Sequence, residues 1–179
     1  MPVDVLAIAA HPDDVELTCG GTLASLKSRG YRFGIVDLTR GEMGTRGTPE
    51  IRETEAKRAA QILGAEFREA LDLGDGGLRR DRDAELAVID VIRREKPRLI
   101  FAPYPDDRHP DHRRAGQLVT DAAYYAGTRR IETRHDLGAE IGRRVAVRCM
   151  EEVAEEDDAP SLAQRDRGAR ELLRVRDGE

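Results

Sequence analysis

The sequence predicts an α/β fold, a three-layer α/β/α domain built on a mostly parallel sheet. Three observations carry that prediction. Apolar runs of strand length recur at 3–10, 33–39 and 98–104, continuous rather than alternating, as in strands covered on both faces. Stretches with helical character separate them. The first run, the stretch after it and the second run together span about 35 residues, the size of a βαβ unit, whose two strands are parallel.

The elements follow in order. VDVLAIAA (3–10) is the first strand, and GGTLASLKSRG (20–30) is a helix that stops on Gly30. FGIVDLT (33–39), rich in β-branched and aromatic residues, is the second strand. RGEMGTRGTPE (40–50) is a glycine-rich loop. Thr48 then offers an N-cap, Pro49 suits the first helical position, and Glu50 complements the positive helix end. IRETEAKRAAQIL continues that helix to Gly64, and a short strand is expected between Phe67 and Leu73. DAELAVIDVIRRE (83–95) places Leu86, Ile89, Val91 and Ile92 on a helical face and ends before Pro97. RLIFAPY (98–104) is a further strand, DDRHPDH a loop, and RRAGQLVTDAAYYA a helix that closes at Gly127. The order β-α-β-α-(β)-α-β-α is that of a layered α/β domain.

Composition excludes several classes. At 179 residues with 36% charged side chains and a net charge of -5, the chain suits one soluble domain with a real core. It has no basic footprint for nucleic acid. No apolar run approaches the ~20 residues of a membrane helix, and the N-terminus lacks the basic region of a signal peptide. Two cysteines, Cys19 and Cys149, make no disulfide framework, so a reducing cytoplasm is expected. Cys19 is read as a small buried apolar residue.

After Gly127 the character changes. All seven aromatics precede that glycine, whereas the 52 residues after it hold eleven arginines and thirteen acidic residues. Residues 1–127 are therefore read as one α/β domain. Residues 128–179 are read as an atypical charged segment, solvated in part, and divergent, truncated or frameshifted at its end. Within it, VAVRCM (145–150) is a strand able to dock on the sheet edge. His135 receives no role.

In an open parallel sheet, ligands bind beyond the carboxyl ends of the strands. His11, Asp13 and Asp14 follow the first strand, while Arg108, His109, Asp111 and His112 follow the strand at 98–104. With parallel strands, both clusters emerge on one edge despite the sequence between them. Asp13 or Asp14 alone would be read as a helix cap; the two clusters together read as a metal site. Imidazole and carboxylate donors suit Zn²⁺, whose catalytic sites use three protein ligands and leave one position open. His11, Asp14 and His112 are the expected ligands, Asp13 the expected general base, and His109 the group that stabilises an oxyanion or protonates a leaving amine. Gly20 and Gly21 are expected to let the backbone turn closely behind the site.

These stretches, AHPDDVE with GGTLA, then TRGEMGTRGTPEIRETEAKRAAQILG, then HPDH, resemble the PIG-L/LmbE-like zinc-dependent N-deacetylases over roughly residues 3 to 127. The branch they look most like acts in bacillithiol biosynthesis on N-acetylglucosaminyl-malate. The resemblance implies a Rossmann-like sheet with His11, Asp14 and His112 as zinc ligands and Asp13 as general base. It also implies that His109 assists the tetrahedral intermediate and that Asp111 orients His109. Arg52 and Arg108 match arginines lining a sugar pocket, and Glu16 falls on an acidic position with a supporting or substrate-binding role. A small N-acetylglucosaminide is the implied substrate, and a homohexamer the implied assembly. Two other classes stay open from the residues: a non-catalytic sugar- or nucleotide-binding protein, and a metal-dependent phosphoesterase, for which the ligands are few.

Overall fold

The computed structural model describes residues 2–135 and 145–150. Five strands and four helices alternate through them: β1 (Val5–Ala9), α1 (Asp14–Ser28), β2 (Phe33–Asp37), α2 (Pro49–Leu63), β3 (Arg68–Ala70), α3 (Arg82–Glu95), β4 (Leu99–Ala102), α4 (Pro110–Ala126) and β5 (Ala146–Cys149). The sheet order is β3-β2-β1-β4-β5 and every pairing is parallel. The chain winds from β1 towards one edge, then returns to the far side of β1 to form β4. The switch point of the fold therefore lies between the carboxyl ends of β1 and β4, where open α/β sheets bind ligands.

Strand alternation builds the three layers. Leu6 and Ile8 of β1 join Val88, Ile89 and Ile92 of α3 and Leu118, Val119 and Ala122 of α4 in one core. Val5, Ala7 and Ala9 face the other way, onto Val15, Cys19, Leu23 and Leu26 of α1. Neighbouring residues of one strand thus bury on opposite faces, which is why these strands read as unbroken apolar runs. Cys19 lies in the second core, as its reading as a small apolar residue requires.

Two expectations are corrected. The first helix starts at Asp14, not at residue 20. Asp14 and Glu16 complement the positive end of its first turn, and the buried face Val15, Cys19, Leu23 carries the helix through the two glycines. Gly20 and Gly21 accordingly lie inside α1 rather than at a turn, and a Cβ at Gly21 would meet nothing within 4 Å. The second correction concerns HPDH, which is not a loop. Proline at the first helical position starts α4 at Pro110, with His109 as its N-cap. The other helix signals hold: Thr48 caps α2 by accepting from Ile51 N–H, and Gly64 ends it at φ 76, a left-handed conformation that favours glycine.

The packed body continues past Gly127. Buried Arg93 of α3 donates to the backbone oxygens of Ala126, Thr128 and Ile131, and Asp90 accepts from His135 N–H at 2.9 Å. Residues 145–150 include β5, which pairs with β4; the rest of the charged segment, 136–144 and 151–179, lies outside the described residues. Among the described residues no helix is long and apolar enough to cross a membrane.

Candidate metal centre

Beyond Ala9, the chain leaves the sheet through His11 and turns at once into α1, while the segment after β4 turns into α4 through His109. These two short exits bring the three imidazoles together. The rings of His11 and His109 lie 5.0 Å apart, those of His11 and His112 5.4 Å, and those of His109 and His112 stack at 4.6 Å. The site sits at the switch point the topology creates.

Asp14 joins the two halves. Its Oδ2 lies 3.4 Å from His11 Nδ1 and accepts from the His11 backbone N–H at 2.9 Å, and its Oδ1 lies 3.3 Å from His112 Nε2. Two donor atoms on one tetrahedral zinc, each at 2.0–2.1 Å, stand about 3.3 Å apart; each separation matches that spacing, through a different oxygen of Asp14. Burial opposes ionisation of Asp14, but hydrogen bonds from His11 and His112 outweigh it and hold the carboxyl well below the usual carboxylate range. Asp14 and Asp107 together lift His112 to about 9. His11 is raised as well, burial being overcome by Asp14 and Asp75.

Asp13 occupies the N-cap position of α1, yet its side chain makes no capping hydrogen bond. The residue is exposed, next to Asp14 in the chain. His109 is fixed differently: its Nδ1 accepts from Asp111 N–H at 3.2 Å. An imidazole that accepts at Nδ1 carries its proton on Nε2 when neutral, so His109 offers an Nε2–H donor. The Asp111 carboxylate, which the resemblance gives the task of orienting His109, is engaged elsewhere, and the contact to the His109 ring comes from the Asp111 backbone N–H instead. The carboxylate accepts from Gly76 N–H at 2.7 Å and from Arg114 at 3.1 Å, and lies 3.7 Å from His11 Nε2.

The remaining expected residues are engaged differently. Arg108 is exposed. Arg52 folds back over the glycine-rich loop, with Nε donating to Arg46 O, and its guanidinium fills the space where Gly41 and Gly44 lack side chains. The Glu16 carboxylate pairs with Arg68. A cavity of ≈ 340 Å³ is lined by Pro12, Asp37, Arg40, Lys57, Arg68 and Asp72 among others, on the β2–β3 side of the domain, and none of the three imidazoles lines it.

Two acidic groups near the histidines are absent from the expected set, Asp75 because it follows a different strand and Asp107 although it lies in the DDRHPDH stretch. Asp75 Oδ1 lies 3.0 Å from His11 Nε2, and its Oδ2 accepts from Met43 N–H at 2.8 Å. It comes from the GDGG turn after β3, whose glycines are the one signal able to mark it. Asp107 Oδ2 lies 3.1 Å from His112 Nδ1 and Oδ1 accepts from His109 N–H. A carboxylate behind a ligating imidazole fixes the ring orientation and tautomer. The donor atoms of His11, His109 and His112 lie within 4.8 Å of one another, as do those of His11, Asp75 and Asp111.

The family model described as GlcNAc-PI de-N-acetylase, PIG-L, matches residues 6–123. A diacetylchitobiose deacetylase of Thermococcus kodakarensis is 39% identical over 133 residues, 69% of this chain and 50% of that protein. A 4-oxalmesaconate hydratase of Pseudomonas putida is 31% identical over 68% of this chain and 52% of that protein. A protein named as a probable N-acetyl-alpha-D-glucosaminyl L-malate deacetylase 2 of Bacillus anthracis is 33% identical over 66% of this chain and 58% of that protein. Among solved structures, a conserved protein of Thermus thermophilus superposes with a TM-score of 0.74 at 46% identity, covering 81% of this chain and 64% of that one. The chain thus spans little more than half the length of the curated relatives it matches.

Proposed function

The chain belongs to the GlcNAc-PI de-N-acetylase (PIG-L) family, and from that membership we propose that it is a zinc-dependent hydrolase removing the N-acetyl group from a small glucosamine-containing molecule. We propose N-acetylglucosaminyl-malate as that molecule, in cytoplasmic bacillithiol biosynthesis, with the chain acting as a homo-oligomer of six. The observation that carries the reading is the meeting of His11 and His112 on the two oxygens of Asp14, beside the uncommitted carboxylate of Asp13. The names of relatives that act on diacetylchitobiose and on the malate glycoside support the substrate class.

Zinc held by His11, Asp14 and His112 would polarise the acetamide carbonyl and acidify water. The protein groups divide the remaining work. Asp13 takes the proton of the attacking water and passes it to the leaving amine. Its freedom from capping leaves both carboxylate oxygens available for this exchange. His109 donates its Nε2–H to the oxyanion that forms on the acetyl carbonyl, and the Asp111 N–H bond at Nδ1 keeps the proton on the donating side. Asp111 braces the turn at Gly76 that carries Asp75 to His11. Arg108 and Arg52 approach the glycoside, where a guanidinium fork suits the carboxylates of malate, and Glu16 supports the first turn of α1.

Elemental analysis with acetate assays tests this. One zinc per chain and acetate release from N-acetylglucosaminyl-malate is the expected result, with release from diacetylchitobiose gauging tolerance for the aglycone. Zinc without turnover of either points to a non-catalytic binding protein. Two metals with phosphate release point to a phosphoesterase, and hydration of 4-oxalmesaconate with no acetate release overturns the deacetylase reading.

A further inference from the structure

A second charged cluster lies on the same sheet edge, behind the metal centre. Arg68 of β3 has a side chain only 4% exposed, and its guanidinium touches three neighbouring elements. Nε and Nη2 fork onto the two oxygens of Asp37, at the end of β2, at 2.7 and 3.0 Å. Nη1 donates to Glu16 Oε1 of α1 and, at 3.3 Å, to the backbone oxygen of Ala56 in α2. Nη2 also reaches Glu16 Oε2 at 3.4 Å. The fork is thus fully engaged, and Glu16 stands two residues beyond Asp14 and three beyond Asp13 in the first turn of α1.

We propose that Arg68 is a positioning residue for the metal centre, holding the first turn of α1 through Glu16 so that Asp14 meets both imidazoles and Asp13 faces the reacting water. The inference rests on Asp14 being a zinc ligand. Its physical ground is that Glu16 ties a helix start carrying two functional carboxylates to the β2–β3 half of the sheet through one buried guanidinium. A buried ion cluster is a poor source of stability and a good source of geometry, because its desolvation offsets its attraction while its directions stay fixed. Burial pushes the Asp37 carboxyl up to about 6 even against the Arg68 fork, so the cluster is held at a cost. Only a planar fork spans Asp37 and Glu16 at once; a lysine ammonium at that site reaches one of them.

Glu16→Ala is the cleanest test, since it releases α1 while leaving Arg68 paired with Asp37. Zinc affinity is measured by competition with a chelator, alongside kcat, KM and melting temperature of the full chain. Glu16→Ala is expected to weaken zinc by about 10-fold or more, the scale of lost outer-shell support, and to lower kcat with KM within about 2-fold. Glu16→Gln, whose amide oxygen still accepts from Arg68, should recover most of the affinity. Arg68→Lys should resemble Glu16→Ala. Unchanged zinc affinity in Glu16→Ala overturns the proposal, as does a rise in KM alone, which would place Glu16 or Arg68 against substrate in the adjoining cavity. If the wild-type chain takes up no zinc, the ligand assignment fails and this proposal with it. If wild type binds zinc and Glu16→Ala binds it equally, only the positioning role falls.

Discussion

Two charged clusters share one edge of this sheet, and they differ in what is left over. At the end of β2 and the start of β3, Arg68, Asp37 and Glu16 consume one another; each nitrogen of the guanidinium has an acceptor. At the ends of β1 and β4, His11, Asp14, His112 and His109 are placed as closely, but His109 Nε2 and the carboxylate of the adjoining Asp13 keep unspent capacity. A saturated cluster holds geometry. An unsaturated one, held in place by its neighbours, is able to do chemistry. Charge density alone would not separate the two; hydrogen-bond accounting does.

The comparison is broken most severely by removing a ligand. His112→Ala deletes one partner of Asp14, and the variant should lose its zinc in elemental analysis. Its acetate release should fall by more than the about 10²–10⁴-fold that loss of an acid–base group costs. Zinc content equal to wild type would show that the open cluster is not the metal site.

A smaller effect reaches the same cluster without touching its ionisable groups. Gly116 packs α4 against the backbone after β4, where a Cβ would overlap Pro103 O and crowd Pro105. Gly116→Ala should cost about 1–3 kcal/mol in urea unfolding and, by shifting α4, weaken zinc binding. Because Arg68 and Asp37 belong to β3 and β2, on the other side of β1 from β4, their pairing should be untouched, and the Asp37-dependent pH slope described next should persist in Gly116→Ala.

The saturated cluster has its own signature in pH. The folded-state pKa of Asp37, about 6, lies above its ordinary 3.8. Between those values the folded protein binds the extra proton, so this carboxyl makes stability fall as pH rises from about 4 to about 6. Its contribution is about 2–3 kcal/mol at full effect. Asp37→Asn should flatten that slope, and a slope identical to wild type would show that burial does not dominate there.

Much of this is legible in the sequence, and the reasons are specific. Parallel topology follows from the unbroken apolar runs, and it alone brings His11 and Asp14 to His109 and His112 from opposite ends of the domain. The start of α1 is obscured because two glycines signal a turn locally, while the Val15, Cys19, Leu23 face overrides them through packing. Asp75 is hidden because it sits in a short polar turn whose direction only the tertiary structure sets. Arg68 meets Asp37 and Glu16 across 31 and 52 residues of sequence, and no periodicity encodes such a contact. The reading of the charged segment as divergent, truncated or frameshifted concerns residues that lie mostly outside those described.

The central claim is that Asp13 serves as a base at a zinc held by other residues. Acetate release from N-acetylglucosaminyl-malate by Asp13→Asn, normalised to its zinc content, tests it most directly. One zinc per chain with turnover reduced by about 10²–10⁴-fold is the predicted result; wild-type turnover, or zinc lost to the same extent as in His11→Ala, would contradict it.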